Sequence, residues 1–441
     1  MKILIYGLNY APELTGTGKY TAEMAALLAS RGHEVRVVCA PPYYPEWQVS
    51  PGYASWRYRR EERDGVAIWR APLWVPSRPS GLKRMIHLAS FAATSLPVLA
   101  LQALWRPDAV VLIAPTLICA PACLALARVA RASAWLHIQD YEVDAAFELG
   151  LLKGSRAARI ARWVESQLLR RFDAVSSITR QMSARASAKG VAPSKVVCLP
   201  NWVDVSAIYP LSRASEYRSE LNLSDAQKVV LYSGNMGAKQ GIETLAEAAA
   251  SLASRPDVTF VFCGGGAARE NLEKRCATLP NCVFLPLQPA ERLNELLNLA
   301  DMLPQRADAA DLVMPSKLTG MFASGRATIA MARRGTALHE AVHARGVVVP
   351  PDNVKALVGA ITALANDPER RAALGRAARD YAESALSPDS TISTFEERIG
   401  MLCRAAGRRR LKASATYFDA RPSAVVVTHA KPATTEDAAP E

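Results

Sequence analysis

The sequence predicts an α/β protein made of two doubly wound parallel sheets. Its 441 residues exceed what one ordinary core holds, so two domains of about 200 residues each are expected. Short apolar runs alternate with helical patterns along the chain, and buried parallel strands have such continuous apolar sequences. Each half also opens in the same way, with a strand, a glycine-rich turn and a helix.

The predicted strands are short apolar runs separated by helical segments. Helices between successive strands indicate right-handed βαβ units, which build doubly wound sheets. Proline, asparagine and serine interrupt the pattern at Leu199–Arg213, which marks the boundary between the two domains. The runs in the first half are ILIYG, EVRVVCA, GVAIWR, AVVLIAP, AWLHIQD, AVSSIT and KVVCLP, and those in the second half are VVLYSG, TFVFCG, CVFLPL, ADMLPQ, ATIAMA and GVVVPP.

The repeated strand–turn–helix unit is the strongest functional signal. Met1–Gly7 leads through Asn9–Tyr20 into a helix, and Lys228–Gly234 leads through Asn235–Gly241 into another. Such a turn collects free backbone N–H groups and the positive end of a helix dipole at one point, which suits phosphate. A glycine turn can also serve only the tight packing of strand on helix. The presence of two such turns favours a cleft for a nucleotide-bearing ligand, as in a two-domain transferase.

The charge balance predicts an anionic partner. The net charge of +12 makes nucleic acid, acidic lipid and phosphorylated substrates the candidates. No nucleic-acid-binding motif is present, and the arginines do not alternate with stacking aromatics, so we expect no nucleic-acid partner. Half of the residues are hydrophobic and 21% are charged, as in a folded globular protein.

The cysteines and the N-terminus both predict a cytoplasmic protein. None of the eight cysteines forms a Cys-x-x-Cys pair, and several fall in predicted strands, among them Cys39, Cys198 and Cys263. We interpret them as reduced core thiols in a reducing compartment. The Met-Lys start is followed at once by a strand, which leaves no room for the apolar core of a signal peptide.

One apolar segment has the length of a membrane span. Ile86–Trp105 contains no charged residue, and Lys83 and Arg84 precede it. Pro97 lies inside the segment, which also falls between two predicted strands, where a crossover helix belongs. Three interpretations stay open: a packed or groove-lining helix, a monotopic contact with the membrane, and a true span.

Polar groups follow the predicted strand AWLHIQD, in the segment Leu136–Asp144. Carboxylates at the carboxyl edge of a parallel sheet face the crevice where ligands bind, so Asp140 is a candidate catalytic residue. Its alternative role is to cap the next helix. His137 is a second candidate, although a histidine in the middle of a strand is more often a hydrogen-bonded core residue.

The segment Met314–Ala330 predicts a phosphate contact in the second half. Ser316 and Lys317 stand at a helix start, and Gly325 ends that helix. An ammonium group at a helix N-terminus is unfavourable unless an anion is present, so Lys317 suggests a bound phosphate. A solvated surface lysine is the alternative.

The pentapeptide HEAVH at His339–His343 matches the zinc-protease pattern. It lies at the start of a helix between two apolar strands, and no third ligand follows at a familiar spacing. We therefore interpret it as part of an ordinary surface helix and expect no metal.

Together these segments resemble bacterial exopolysaccharide glycosyltransferases of the GT-B fold, and the chain is most similar to the colanic-acid-type members of glycosyltransferase family 4. The resemblance covers residues 1–405. It implies two doubly wound Rossmann-like parallel-sheet domains that face a cleft. The segments that carry it are GLNYAPELTGTGKYTAEMA, GHEVRVVCAPPYYPEWQV, LHIQDYEVDA, LPNW, LYSGNMGAKQGIE, LPLQPAERLNELLNLAD, RADAADLVMPSKL and GVVVPPDN.

The resemblance implies an enzyme that transfers a hexosyl unit from a nucleotide-diphosphate sugar, with GDP-fucose favoured, onto a polyprenyl-diphosphate-linked oligosaccharide. Such enzymes generally retain the anomeric configuration and need neither metal nor cofactor besides the sugar nucleotide. The expected place is the cytoplasm, in peripheral contact with the inner membrane. Two alternatives are a nucleotide-sugar 2-epimerase of the same fold and a catalytically weak scaffold subunit of the polysaccharide machinery.

The same resemblance assigns roles to residues. Asp140, His137 and Lys317 are the implied catalytic residues, Asp140 lying near the acceptor hydroxyl or the donor sugar. Lys239 and Lys317 would neutralise the leaving diphosphate. The implied donor-binding residues are Gly16, Gly18, Gly234, Asn235, Gly237, Lys239, Gln240, Gln288, Pro315, Ser316 and Lys317.

The chain departs from the family pattern in two places. Many family 4 enzymes carry a Glu-x7-Glu pair, and here Leu312 and Gly320 occupy these positions. The usual arginine after the glycine is Asn235 and the usual lysine is Gln240, with Lys239 one step earlier.

The expected domains are an acceptor domain at 1–205 and a nucleotide-sugar domain at 206–387. A helix at 388–407 is expected to cross back to the first domain, followed by a disordered tail at 408–441.

Overall fold

The computed structural model describes residues 1–13, 16–78, 80–144, 155–237, 240–306 and 314–419, without the side chains of 155, 157 and 406–419. Its first sheet has eight strands in the order β3-β4-β2-β1-β5-β6-β7-β8, and only the β3–β4 pair is antiparallel. The strands are β1 Lys2–Tyr6, β2 Glu34–Cys39, β3 Arg59–Arg63, β4 Val66–Arg70, β5 Ala109–Ala114, β6 Ser133–Ile138, β7 Ala174–Ser177 and β8 Val196–Cys198.

The second sheet has six parallel strands in the order β11-β10-β9-β12-β13-β14. All thirteen predicted strands are confirmed, and so is the class of two doubly wound α/β sheets. The sequence analysis missed β3, whose residues RREER are mostly exposed at the sheet edge and carry no apolar signal. The strands are β9 Lys228–Ser233, β10 Val258–Cys263, β11 Cys282–Leu285, β12 Met302–Arg306, β13 Ala327–Met331 and β14 Gly346–Val349.

Helices cover both faces of each sheet. The crossovers of the first domain place α2 to α5 on one face of the first sheet, where they share a core, while α1 and α14 cover the other face. The helices are α1 Gly16–Ser30, α2 Gly81–Trp105, α3 Ala120–Ala130, α4 Ser155–Leu169, α5 Arg180–Ala188, α6 Glu216–Glu220, α7 Ile242–Ser251, α8 Arg269–Cys276, α9 Leu293–Leu299, α10 Lys317–Ala323, α11 Ala337–Val342, α12 Val354–Asn366, α13 Pro368–Ala385 and α14 Pro388–Asp419.

The predicted apolar segment Ile86–Trp105 lies in α2, which crosses from β4 to β5. Among the described helices, α2 alone has the length and apolar composition to cross a membrane. Its inner side packs on the sheet: Phe91 is fully buried, and the Ser95 hydroxyl is 2.6 Å from the Tyr6 hydroxyl of β1. Pro97 lies within the helix. This packing is that of a crossover helix whose outer side remains exposed.

The last helix, α14, packs on the first sheet rather than on the second. Phe395 meets the Trp135 ring of β6 with centroids 4.8 Å apart, and Arg31, directly after α1, pairs with Asp389 at 2.6 Å. The helix continues to Asp419, past residue 407 where the crossing helix was expected to end. The sequence RRRLKASA there is rich in good helix formers. Residues 420–441 lie outside the described part.

Gly375 allows α13 to approach the turn at Gly325. A Cβ atom on Gly375 would overlap the Gly325 carbonyl oxygen. Alanine usually stabilises a helix interior relative to glycine by about 0.5–1 kcal/mol. We expect Gly375→Ala to destabilise instead, by about 1–3 kcal/mol, because the backbone must move apart.

Gly359→Ala in α12 is the matched control, since a Cβ there meets no atom within 4 Å. We expect this control to raise the midpoint of thermal unfolding slightly while Gly375→Ala lowers it. Stabilisation by both substitutions would show that the close approach at Gly375 is unimportant.

Candidate active site

The second glycine turn is built by two loops in backbone contact. Gly234 follows β9 with φ of +133°, and Gly264 follows β10 with φ of +128°. A Cβ on Gly264 would overlap the Gly234 carbonyl, and one on Gly266 would lie 2.5 Å from Asn235 Oδ1. The sequence analysis missed Gly264–Gly266, although three glycines directly after an apolar strand are a readable signal.

Lys317 lies over this turn. A Cβ on Gly234 would overlap the Lys317 ammonium group, which is 3.3 Å from the Tyr232 hydroxyl and 4.7 Å from the centre of that ring. Burial lowers the pKa of Lys317 to about 8. No carboxylate in the described part of the chain pairs with it. The result is a half-buried cation at the carboxyl edge of the second sheet, where an anion would be favoured.

A cavity of about 330 Å³ lies beside Lys317, between the two domains. The first domain and the linker contribute Lys19, Tyr20 and Trp202, and Gly320 of α10 lies on the opposite wall. The other polar lining residues from the second domain are Ser233, Gln305, Ser316, Lys317 and Thr319. The predicted donor residues Ser316 and Lys317 thus share one cavity with residues of the first glycine loop.

The first glycine loop is held by a glutamate that the sequence analysis missed. Glu13 is buried, and its carboxylate accepts the backbone N–H groups of Tyr43 and Tyr44 at 3.0 and 3.1 Å. It also accepts the Asn9 amide at 2.9 Å. Gly18 leaves room for it, because a Cβ there would lie 2.7 Å from Glu13 Oε2. Burial raises the pKa of Glu13. Its sequence signal is an acid inside an otherwise apolar and glycine-rich loop.

The other predicted glycine of this loop, Gly16, begins α1 with φ of +59°. No atom lies within 4 Å of a Cβ added there, so Gly16 is required by backbone conformation rather than by crowding.

Asp140 lies just after β6, at the carboxyl edge of the first sheet. Its side chain is exposed to solvent, although protein surrounds part of it, and it is not among the residues that line the interdomain cavity. This surrounding protein raises its pKa, and the nearby charge of Asp144 adds to the increase. A carboxyl group with a raised pKa is a better proton acceptor near neutral pH.

His137 uses both ring nitrogens inside the protein. Its Nδ1 is 2.8 Å from the Ser176 hydroxyl, and its Nε2 is 3.0 Å from the Gln139 amide nitrogen, which must donate. Nδ1 therefore carries the hydrogen. Burial lowers the pKa of His137 to about 4, so the ring is neutral at pH 7. This geometry favours the core-histidine interpretation and makes His137 a positioning residue.

The hydrogen bonds continue from His137 into the linker between the domains. The Gln139 and Asn201 side-chain amides bond each other in both directions, at 2.9 and 3.0 Å. The next residue, Trp202, donates from Nε1 to Glu23 of α1 at 2.7 Å and meets the Tyr20 ring edge-on. The end of β6, the linker and α1 are thereby fixed together beside the cavity.

Glu142 is a second acid near Asp140 that the sequence analysis did not single out. Its Oε2 accepts the Leu117 N–H at 2.6 Å, while its buried Oε1 has no partner. Burial raises the pKa of Glu142 to about 7, and the charge of Asp140 contributes. The signal for it was the cluster of acids in DYEVD.

The remaining predicted residues lie on the second glycine turn, before α10, within the second domain away from the turn, or outside the described residues. Asn235 is exposed on the second glycine turn, with Gly237 beside it and Gln240 before α7. Pro315 precedes α10. Gln288 is engaged within its own domain, since it accepts the Tyr217 hydroxyl at 2.8 Å and donates to Pro286 O at 2.9 Å. Lys239 and Leu312 lie outside the described residues.

One group in the described part of the chain could hold a metal ion, namely His339, Glu340 and His343. The ligand atoms lie within 4.8 Å of one another, and the two rings stack in parallel with centroids 5.5 Å apart. The group lies on short helix α11, mostly exposed, and none of its members lines the interdomain cavity.

Two doubly wound parallel-sheet domains that face a cleft define the GT-B fold class of transferases. Both halves of the chain match families of such enzymes: residues 15–202 match the Glycosyl transferase 4-like domain, and residues 214–381 match Glycosyl transferases group 1.

The protein described as putative colanic acid biosynthesis glycosyl transferase WcaI of Escherichia coli (strain K12) is 44% identical over 407 residues. The match covers 90% of this chain and 98% of that protein. The chain therefore belongs to this family of glycosyl transferases, and the predicted enzyme class is confirmed.

Solved structures agree on the fold. Sucrose-phosphate synthase from Thermosynechococcus elongatus superposes with a TM-score of 0.71 at 17% identity, over 92% of this chain and 100% of that one. Anabaena HepE in complex with UDP-glucose gives a TM-score of 0.62 at 15% identity, over 92% of this chain and 100% of that one.

Proposed function

We propose that this glycosyltransferase moves a hexosyl unit from a nucleotide-diphosphate sugar to a polyprenyl-diphosphate-linked oligosaccharide in exopolysaccharide assembly. The observation that carries the proposal is the half-buried Lys317 ammonium group, which lies over Gly234 at the interdomain cavity without an acid partner among the described residues. The printed name of the 44% identical relative, a colanic acid enzyme, supports the pathway class. By the same resemblance GDP-fucose is the favoured donor.

Lys317 would act on the leaving group. In the transfer, the bond between the anomeric carbon and the β-phosphate oxygen breaks, and the departing diphosphate gains negative charge. A fixed cation in a partly desolvated site stabilises that charge without having to reorganise. This role needs no metal ion, and we infer a metal-independent reaction. By the family resemblance, we also infer that the reaction retains the anomeric configuration.

Asp140 would act on the other side of the cleft. It lies just after β6, at the carboxyl edge of the first sheet, and would hydrogen-bond the acceptor hydroxyl or the donor sugar. Its raised pKa suits a group that takes up a proton from a hydroxyl near neutral pH. His137 would support Asp140 through the segment that joins them, without touching the substrate.

The lipid-linked acceptor places the enzyme on the inner face of the cytoplasmic membrane. The outer side of α2 supports this location, because Leu82, Leu101 and Leu104 are between 59% and 81% exposed. Lys83 and Arg84 stand in the first turn of the helix, where they would meet anionic headgroups. An epimerase would need no such contact.

Nucleotide binding is the first test. GDP, UDP, dTDP and ADP, each with EDTA present, are compared for their effect on thermal unfolding. One of them, present at 100 times its Kd, should stabilise the protein by about 2.7 kcal/mol. A shift with none of the four would contradict the donor proposal, and a shift that EDTA abolishes would contradict metal independence.

The pKa of Lys317 predicts how nucleotide affinity depends on pH. A bound diphosphate favours the protonated amine, which the free protein loses above about pH 8. The Kd of the stabilising nucleoside diphosphate should stay constant below pH 8 and rise about tenfold per pH unit above it.

Lys317→Arg is the control, because arginine keeps its charge throughout this range. Its nucleotide Kd should stay nearly flat from pH 7 to 9.5. The same alkaline loss of affinity in the variant would assign the titration to another group.

Asp140→Asn should separate catalysis from donor binding. We expect turnover to fall about 100-fold or more, because the carboxylate can no longer take up a proton. The Kd of the nucleoside diphosphate should stay unchanged, since that ligand binds in the second domain. Asp64→Asn, in the turn before β4 and away from the cavity, should alter neither quantity. Normal turnover in Asp140→Asn would contradict the role of Asp140 as the proton acceptor.

A further inference from the structure

The outer surface of one helical layer is unusually apolar. Helices α2, α3 and α4 lie side by side on one face of the first sheet, and their inner sides share one core. Monomeric soluble proteins rarely expose large contiguous apolar patches. The large apolar side chains exposed on this layer, including the turn before α3, are Leu82, Met85, Ile86, Leu96, Leu101, Leu104, Ile118, Val129, Ile160, Trp163 and Val164.

Helix α4 contributes a stripe that packing in its own domain does not explain. Ile160, Trp163 and Val164 stand at i, i+3 and i+4, so they share one side of the helix. Ile160 and Trp163 are each 63% exposed. The inner side is formed by other residues, among them Glu165 and Leu169, which are buried. The apolar stripe therefore faces away from the core.

The charges on the layer have one sign. The sequences of α2, α3 and α4 contain six basic residues and one acid, Glu165, which is buried against Lys189. No carboxylate of these three helices is exposed. The basic residues are Lys83, Arg84, Arg128, Arg156, Arg159 and Arg162.

We propose that the outer sides of α2, α3 and α4 form a single docking surface for an anionic lipid bilayer, with α4 lying in the headgroup plane. Basic residues beside Trp and aliphatic side chains are the composition of helices that bind in that plane. A second copy of this chain is a poorer occupant, because a twofold contact would bring the same basic groups together. The inference rests on the proposed lipid-linked acceptor and names the surface that would present it.

The position of this surface relative to the cleft fits that role. Helices α2 and α4 both begin at the carboxyl edge of the first sheet, the edge that carries Asp140. Lys83 and Arg84 stand near the start of α2, and Arg156 and Arg159 near the start of α4. Headgroups bound by these residues would lie near the cleft entrance, where a lipid diphosphate must approach.

The test is co-sedimentation of the full chain with vesicles. The neutral vesicles contain phosphatidylcholine alone. The anionic vesicles contain phosphatidylcholine with about 30% phosphatidylglycerol. The wild type should bind the anionic vesicles. The double variant Ile160→Asn/Trp163→Gln should bind them at least about tenfold more weakly, because two interfacial anchors are lost.

Met401→Gln is the matched control, since Met401 is also an exposed apolar residue but lies on α14, outside the docking surface. It should bind the anionic vesicles like the wild type. The variant Arg156→Gln/Arg159→Gln should bind the anionic vesicles more weakly than the wild type, and its vesicle binding should depend less on salt concentration. Thermal stabilisation by the nucleoside diphosphate should be the same in all variants, which separates this proposal from that of donor binding.

Equal vesicle binding by the wild type and Ile160→Asn/Trp163→Gln would overturn the proposal, as would equal binding of the wild type to neutral and anionic vesicles. A change from dimer to monomer in that variant, measured by light scattering, would assign the surface to a second copy instead.

Discussion

The contact between Lys317 and Gly234 is the constraint on which the candidate active site depends. A lysine ammonium group can lie over a backbone turn only where no Cβ intervenes, and Gly234 provides that space. This glycine turn also needs Gly264 and Gly266, which let the loop after β10 contact the loop after β9. Three glycines with positive φ thus bring one half-buried cation to the carboxyl edge of the second sheet. The cost of burying that cation is visible in its lowered pKa, and a bound anion would offset it.

Hydrogen bonds hold the first domain's side of the cavity together. The Gln139–Asn201 amide pair and the Trp202–Glu23 bond fix the end of β6, the linker and α1 as one group. The Tyr20 and Trp202 side chains of this group line the cavity on the side opposite Lys317 and Gly320. These hydrogen bonds fix the orientation of the linker on the first domain, next to the cavity where closure around a donor would occur.

The fold was largely predictable because parallel strands buried on both faces give continuous apolar runs. The edge strand β3 was missed because its exposed RREER sequence gives no such signal. The glycine turns were predictable as local motifs, and so was the position of Lys317 at a helix start. The contact of Lys317 with Gly234 was not, since 83 residues separate them and only the sheet order brings them together. Glu13 and Glu142 were missed for a related reason. Their hydrogen-bond partners are distant in the sequence, and no local pattern predicts them: Tyr43 and Tyr44 for Glu13, and Leu117 for Glu142.

The most direct test of the account is calorimetric binding of a nucleoside diphosphate and of the matching nucleoside to wild-type protein and to Lys317→Met. Methionine is unbranched and keeps most of the length of lysine but removes the charge. The account predicts that the variant binds the nucleoside diphosphate about 10- to 100-fold more weakly, the range expected for one lost charge-assisted contact, while its affinity for the nucleoside is unchanged. Equal affinity of both proteins for the nucleoside diphosphate would contradict the account, because the cation over Gly234 would then have no part in binding phosphate.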